Sequence, residues 1–420
     1  MRRSQLFIKT RKEVPAEEES RNAQLLIRAG FIHKEMAGVY TFLPPGLRVL
    51  ENICTVIREE MNAIGGQELK LTTLQDPSIW QATDRWDDEA VDVWFKTKLK
   101  NQAELGLGWT HEEPLVRAAK PFINSYKDLP FLAYQIQTKF RNETRAKSGV
   151  MRCREFLMKD LYSFSRTQKE HDELYEKIKQ AYFKVFERLG IGEQTFLTFA
   201  SGGPFSQYSH EFQTVIPAGE DTLYLDREKK IAINEEVYSD EVLGELGLER
   251  EALEKVKAAE VGNIFTLKDK YSGPLNLTFT DEDGKVHPVL MGCYGIGPSR
   301  LVGVITELMA DDRGLVWPIN VTPFVVYLCR LGDEKEVEKA ADEAYNVLSE
   351  AGITVLYDDR GERPGEQFAD AELLGMPYRL VVSQKSLEQG GLELKTRSSK
   401  EVEILSRDKA VEILAKALQA

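Results

Sequence analysis

The sequence predicts a chain of two or three domains, α+β in its larger part and closing with a small α/β unit. Three observations carry that expectation. A length of 420 residues, 42% hydrophobic and 29% charged, can bury more than one core. Residues 135–164 read as strand, loop, strand, with side chains alternating at a period of two on both sides of a loop that contains Gly149. After a break punctuated by Pro318 and Pro323, strand and helix signals alternate to the end.

Composition narrows the class. The net charge of -13 argues against indiscriminate binding to nucleic acid, so any RNA partner must be gripped by local patches. Cys54, Cys153, Cys293 and Cys329 lie far apart, and with only 5 histidines neither a disulfide frame nor a zinc cluster is indicated. The first twenty residues have no apolar core long enough for a signal peptide, and no run approaches a membrane span. A cytoplasmic enzyme away from membranes is expected.

In chain order, a polar lead to Ser20 precedes a helix through Arg28 and Gly30. Leu47, Leu50, Ile53, Cys54, Ile57, Met61 and Ile64 recur at helical spacing, with Pro44 and Pro45 before them and Gly65 and Gly66 after. That predicts one long amphipathic helix, which by itself says only that one face packs. Residues 69–74 read as a strand, and WQATDRWDDEAVDVWF as loop and helix. In LGLGWTHEEPLVR, Thr110 followed by Glu112, Glu113 and Pro114 is a helix-start signal.

The ribbon comes next. Tyr134, Ile136, Thr138 and Phe140 alternate with Gln135, Gln137, Lys139 and Arg141, so one face is largely apolar and the other polar. Beyond Glu143 and a loop over 144–150, Arg152, Arg154 and Phe156 continue the period. From Lys139 to Lys159 seven basic residues face two acids, a local balance of +5. A solvated hairpin whose charges protect a sheet edge would account for this. So would a polyphosphate site, where Arg forks hold anions, Glu accepts from an exocyclic amine and an aromatic ring supports a base.

Past the ribbon, residues 171–189 show a helical apolar stripe, FASGGPFSQYSHEF leads into a strand with His210, and residues 224–265 look like a short, charged, helical connector. Gly292, Gly295 and Gly297 followed by Arg300 suit a tight strand-to-helix turn near a phosphate. The last hundred residues give strand PFVVYLCRL, helix 334–351, strand ITVLYDD, helix 365–374, strand YRLVVS and a helix after Asp408.

The order Phe-Arg-x-Glu, loop, Arg-x-Arg-Glu-Phe resembles motif 2 of the class II aminoacyl-tRNA synthetases, and its REFLMKD ending resembles the prolyl enzymes of class IIa. Residues 38–75 resemble motif 1, residues 291–309 motif 3, and DDRGERPGEQFADAELLGMPYR the class IIa anticodon-binding domain. The resemblance implies a catalytic domain over 1–320, built on an antiparallel sheet flanked by helices, and an anticodon-binding domain over 321–420. Residues 224–265 would stand where longer bacterial members carry an inserted editing domain.

The implied activity is ATP-dependent activation of L-proline and its transfer to the 3′ end of the proline tRNA, in a homodimer joined through motif 1, with Mg2+. By resemblance Arg141 is catalytic, bridging the proline carboxylate and the α-phosphate. Glu143 would read adenine, Phe156 stack on it, and Arg152 and Arg300 hold the outer phosphates. Thr110 and Glu112 would hold the imino group, with His210 and Cys293 in the proline pocket. Phe205 and Ser206 stand where the family has a glycine pair, so the contacts from that strand stay open. Arg360 and Arg363 would touch the anticodon, or one of them pair with Asp358 or Glu362. No metal ligand can be named. Two other readings stay open: a non-catalytic tRNA-binding paralogue, and a ligase that adenylates a small acid for a different acceptor.

Overall fold

The computed structural model describes residues 1–15, 18–201 and 208–418. The chain divides into two compact units, one made of residues 1–35, 40–53 and 305–420 and the other of residues 36–39 and 54–304.

The second unit is built on a 9-stranded sheet. Its strands are β1 (Gly66–Glu68), β2 (Phe131–Phe140), β3 (Glu155–Ser165), β4 (Thr195–Ser201), β5 (Tyr208–Val215), β6 (Asp221–Asp226), β7 (Ile231–Asn234), β8 (Glu254–Lys268) and β9 (Leu290–Ile296). The order is β5-β4-β7-β6-β8-β9-β3-β2-β1, and β5 also pairs with β8. Most pairings are antiparallel; β1 with β2 and β4 with β7 are parallel. The ribbon expected from sequence is β2 and β3, in register with Lys139 opposite Phe156. Arg152 and Arg154 fall in the loop instead of continuing the strand, because β3 begins at Glu155.

The segment read as a helical connector holds more strand than helix. Only Asp240–Leu246 forms an α-helix there, and KVKAAE belongs to β8, which is 15 residues long. Ala, Lys and Glu favour helix, but β8 finds partners along its whole length: β6 over Glu254–Ala258, β5 over Ala258–Ile264 and β9 over Gly262–Lys268. Ladder bonds on both edges outweigh a propensity of a few tenths of a kcal/mol per residue. Strands β4 to β8 thereby close into a ring filled by Phe196, Leu223, Leu225, Ala232 and Ala258.

Helix α1 (Gln168–Arg188) lies against one face of the sheet, with Tyr182 and Phe186 packed on Phe212. It starts at a Thr167 cap whose hydroxyl accepts from the Glu170 amide, as N-capping requires. The long amphipathic helix is Pro44–Ala63, and its prolines sit inside the first turn, where a missing N–H leaves nothing unsatisfied.

In the first unit, five strands take the order Val355–Asp358, Val326–Leu331, Tyr378–Ser383, Leu392–Thr396, Glu403–Leu405. The first three are mutually parallel and the last two antiparallel. Helices Lys335–Glu350, Pro364–Leu374 and Arg407–Ala417 complete the α/β pattern. The polar lead is sutured onto this sheet: the Met1 ammonium donates to Val355 O, and Tyr357 N to Met1 O.

Candidate active site

Strand β2 alternates as its sequence does, but beyond the buried Tyr134 the face it buries is the polar one. Gln135, Gln137 and Lys139 are buried, while Ile136, Thr138 and Phe140 are half-exposed. Burying such groups costs several kcal/mol each unless they are paired, and here they are. Gln135 Nε2 donates to Asp160 Oδ2 at 2.9 Å and its Oε1 accepts from Leu71 N; Gln137 Nε2 donates to Leu71 O. Lys139 Nζ forms an ion pair with Asp160 Oδ1 at 2.7 Å and donates to His111 Nδ1 at 2.6 Å. Burial and the Lys139 charge push the His111 imidazole down to about 4, so it is neutral and its Nε2–H donates to Thr72 O. Burial works to raise the Asp160 carboxyl, and the Lys139 charge, with hydrogen bonds from Lys139 and Gln135, more than offsets it, leaving it below the usual range.

Above this pair stands a second buried carboxylate. Glu112 is 0% exposed and accepts from the Thr110 hydroxyl at 2.8 and 2.9 Å, from Cys293 Sγ at 3.3 Å and from Tyr162 OH at 3.4 Å. Thr110 caps nothing: the N-cap of helix Glu112–Ala119 is His111, and the hydroxyl serves the carboxylate. Arg85 completes the arrangement, its Nη1 3.3 Å from Glu112 Oε2 and 3.0 Å from Glu113 Oε1. Its guanidinium is walled by Trp109, Tyr271 and Trp80, with ring centroids 4.5, 4.8 and 5.4 Å away. Trp80 and Trp94 of the stretch WQATDRWDDEAVDVWF, with Trp109 from LGLGWTHEEPLVR, thus form a small core that seats Arg85. Burial and the neighbouring Glu112 push the Glu113 carboxyl up to about 7, with Arg85 pulling it back. Burial also holds the Cys293 thiol protonated, which suits a donor to Glu112 and not a nucleophile.

Beside Glu112 the ribbon opens into a cleft, and Arg141, Glu143, Arg152, Phe156 and Arg300 all line it. The Arg141 guanidinium lies over the Phe156 ring at 5.3 Å, and among the described residues its buried Nε has no hydrogen-bond partner. Burial and the nearby Arg300 charge work against its proton, while Glu260, Glu143 and Glu112 favour it. Arg152 is held between carboxylates, Glu143 Oε2 at 2.8 Å and Glu220 Oε2 at 3.0 Å. Arg300 is fixed by Met151 O at 2.8 Å, Glu260 O at 2.7 Å and Glu260 Oε2 at 3.2 Å. The glycine at 295 is needed for closeness: a Cβ there would stand 2.7 Å from Asn263 Oδ1, which accepts the Gly295 N–H. Opposite, burial and Glu260 push the Glu211 carboxyl up to about 9.

Comparison with known proteins agrees with this geometry. Residues 95–309 match the family described as tRNA synthetase class II core domain (G, H, P, S and T), and residues 318–417 match the anticodon binding domain. The "Proline--tRNA ligase" of Agrobacterium fabrum is 37% identical over 440 residues, covering 98% of this chain and 99% of its own. That of Phenylobacterium zucineum is 38% identical over 440 residues, covering 99% and 100%. The chain belongs to the proline-tRNA ligase family. A crystal structure of prolyl-tRNA synthetase from Cryptosporidium parvum, complexed with L-proline and AMP, has the same fold, with a TM-score of 0.76 at 19% identity over 95% of this chain and 74% of that one.

Not every residue singled out from the family resemblance reaches the cleft. His210 is turned to the other face of the sheet, where its Nδ1 meets the Tyr175 hydroxyl of α1 at 2.7 Å; the period of two in β5 gives the cleft side to Glu211. Phe205 and Ser206 lie outside the described residues. Arg360 is committed within its own unit, to Asp358 at 2.7 Å and Asp370 at 2.7 Å, whereas Arg363 is exposed at the N-cap of Pro364–Leu374. The proline-tRNA ligase motifs did not point to Arg85, Lys139, Asp160, Glu220 or Glu260. Lys139 and Asp160 carried a signal, since a lysine and an acid within strands of aromatic and apolar residues are expensive to bury and must be paired.

Proposed function

We propose that the chain joins L-proline to ATP, releasing pyrophosphate, and passes the prolyl group to the 3′ end of the proline tRNA, with the cleft residues dividing the work as follows. The observation that carries this is Arg141: a guanidinium whose buried Nε has no hydrogen-bond partner among the described residues, close enough to feel both Glu112 and Arg300. Thr110 and Glu112 hold the secondary ammonium of proline, whose two N–H donors and charge match a hydroxyl and a carboxylate. Cys293 forms the pocket wall. The proline carboxylate then meets the α-phosphate at Arg141, which neutralises two anions that must approach and the charge that grows between them. The carboxylate oxygen bonds to phosphorus, pyrophosphate leaves, and the terminal ribose hydroxyl later displaces AMP from the carbonyl carbon.

Phe156 stacks on adenine and Glu143 accepts from its amine, once Arg152 has exchanged Glu143 for a phosphate; Arg300 holds the outer phosphates. Mg2+ would lie at Glu260, the carboxylate of this group that lines the cleft, with Glu211 and Asp221 nearby; burial first, then Glu260 and Asp221, raise the Glu211 carboxyl. Among the described residues no three such side chains converge as ligands, so Glu260 and phosphate oxygens would hold the ion, with water, and it would screen the phosphate charge. The protein acts as a homodimer through residues 38–66, in the cytoplasm; light scattering showing an active monomer at micromolar concentration would count against the first. Among the described residues, no helix is long and apolar enough to cross a membrane. Exposed Arg363 contacts the anticodon, while Arg360 shapes the domain.

The test is proline-dependent exchange of labelled pyrophosphate into ATP, against a panel of amino acids. Exchange is expected with proline and is lost in Arg141→Ala by about 3 kcal/mol of transition-state stabilisation or more, roughly a hundredfold. A variant within a few-fold of wild type would remove Arg141 from the mechanism.

A further inference from the structure

The first residues of the chain do more than tie its ends together. Arg2, Arg3, Lys9, Arg11 and Lys12 fall among the first twelve positions, with no acid between them, in a chain whose net charge is -13. Arg2 and Arg3 are anchors: Arg2 reaches Asp342 at 2.9 Å and lies over the Tyr357 ring, and Arg3 reaches Asp370 at 2.7 Å. Thr10 donates to the same Asp370 at 2.6 Å, and Arg11 N to Arg28 O at 2.8 Å. The strap is therefore held at both ends against the unit that contains the anticodon-binding domain.

Between and beyond those anchors the charges are left open. Lys9, Arg11 and Lys12 are exposed, and among the described residues none of them, nor Arg28, makes an ion pair. With Arg28, whose buried Nε has no hydrogen-bond partner among the described residues, they line a cleft along helix Pro364–Leu374. Two carboxylates on the far wall are already neutralised, Asp370 by Arg3 and Arg360, Glu372 by Arg313, Lys395 and Arg397. Glu362 and Glu366 remain, so four uncommitted cations face two carboxylates. Surface charges of one sign held together on an ordered backbone repel one another and stabilise nothing by themselves, whereas an anionic partner turns that repulsion into attraction.

We propose that Lys9, Arg11, Lys12 and Arg28 form a rail that grips the phosphate backbone of the proline tRNA, extending the anticodon-binding domain with residues from the opposite end of the chain. The inference rests on the reading of that domain as the seat of the tRNA. Phosphate contacts position RNA without reading its sequence, so the rail supplies affinity and salt dependence while other residues read the anticodon.

The test compares wild type with the triple variant Lys9→Gln, Arg11→Gln, Lys12→Gln, all at exposed positions whose side chains make none of the anchoring contacts. Proline-dependent pyrophosphate exchange is expected to stay within twofold. Binding of proline tRNA at ~0.1 M salt should weaken at least tenfold, and the slope of log affinity against log salt should flatten by roughly two to three, about 0.7 to 0.9 per lost phosphate contact. Lys9→Arg with Lys12→Arg should keep the wild-type slope. Unchanged affinity and slope in the triple variant, with tRNA still charged, overturns this inference alone; wild-type protein that does not charge proline tRNA at all removes the functional reading and this one with it.

Discussion

Replacing Arg85 by Met tests whether the carboxylate that receives the amino acid depends on a cation the substrate never touches. Met fills the space between Trp109, Tyr271 and Trp80 and removes the charge. At 3.3 Å from Glu112 and 3.0 Å from Glu113, that charge attracts each carboxylate by about 5 kcal/mol at an effective dielectric of ~20. Burial works against the guanidinium, and Glu113 with Glu112 more than offsets it. Without it two buried carboxylates face each other, and one takes a proton. A proton shared across the Glu112–Glu113 pair gives proline a contact with less charge behind it, a difference of up to about 1.5–3 kcal/mol and therefore up to roughly ten- to 150-fold in KM for proline. Because Arg85 touches no reacting atom, kcat should change far less. The pH dependence separates this from simple loosening. In the variant KM should fall as pH rises and the Glu112–Glu113 pair gives up its shared proton, while stability should fall with it, since a carboxyl whose folded pKa is raised loses stability above its unfolded value. Arg85→Lys should recover part of the KM. A KM within twofold of wild type at pH 7, flat with pH, would refute the argument.

Two further perturbations follow from the acidic wall of the cleft. Glu211 is pushed up to about 9 by burial and by Glu260, so the folded protein keeps a proton that the unfolded chain releases, and stability drains as pH rises from about 4 to about 9. Glu211→Gln should shrink the fall in Tm between pH 6 and pH 9, and an unchanged fall would contradict the assignment. Glu220 accepts from Ser148 Oγ at 2.8 Å and from Arg152 at 3.0 Å, with Lys147 3.7 Å away, so it holds the loop between β2 and β3 and competes with phosphate for Arg152. Glu220→Gln should lower KM for ATP by about two- to fivefold, as releasing a half-exposed pair worth up to about 1 kcal/mol allows; a higher KM would mean the pair positions the loop instead.

What sequence pattern could and could not convey is clearest on β2. Alternation gave the strand and set Gln135, Gln137, Lys139 and Arg141 on one side, but a period of two does not say which side is buried. That depends on partners far along the chain: Asp160 for Gln135 and Lys139, and Leu71 for both glutamines. Arg85 was harder still, since a single arginine in an acidic loop looks like solvated charge until three rings from Trp80, Trp109 and Tyr271 close over it. Residues 224–265 misled for the opposite reason. Their composition is helical, and only the edges offered by β5, β6 and β9 make β8 a strand. His210 was placed by its neighbours in sequence, but one step of the pleat sends it to α1 and Glu211 to the cleft.

The buried charges of this unit have a common logic. Lys139 answers Asp160, Arg85 answers Glu112 and Glu113, and Tyr162 OH donates at 2.9 Å to Asp160 and at 3.4 Å to Glu112, joining the two sets into one network beneath the cleft. Ion pairs this deep add little net stability, because taking both charges out of water costs about as much as their attraction returns, and apolar residues of the same volume would serve a core as well. Their value is that each fixes the next: a carboxylate that cannot turn away from Arg85 must present its remaining lone pairs toward Thr110 and Cys293, where an ammonium can use them. Against that balanced background Arg141 stands out among the cleft's cations. Arg152 and Arg300 have carboxylates of their own; Arg141 Nε has no partner among the described residues, and the Phe156 ring lies beside its guanidinium. A cation desolvated without an anion is costly unless an anion is supplied, and two arrive with the substrates. The cost in the empty protein is then recovered when carboxylate and phosphate bind together, which ties the binding of each to the presence of the other.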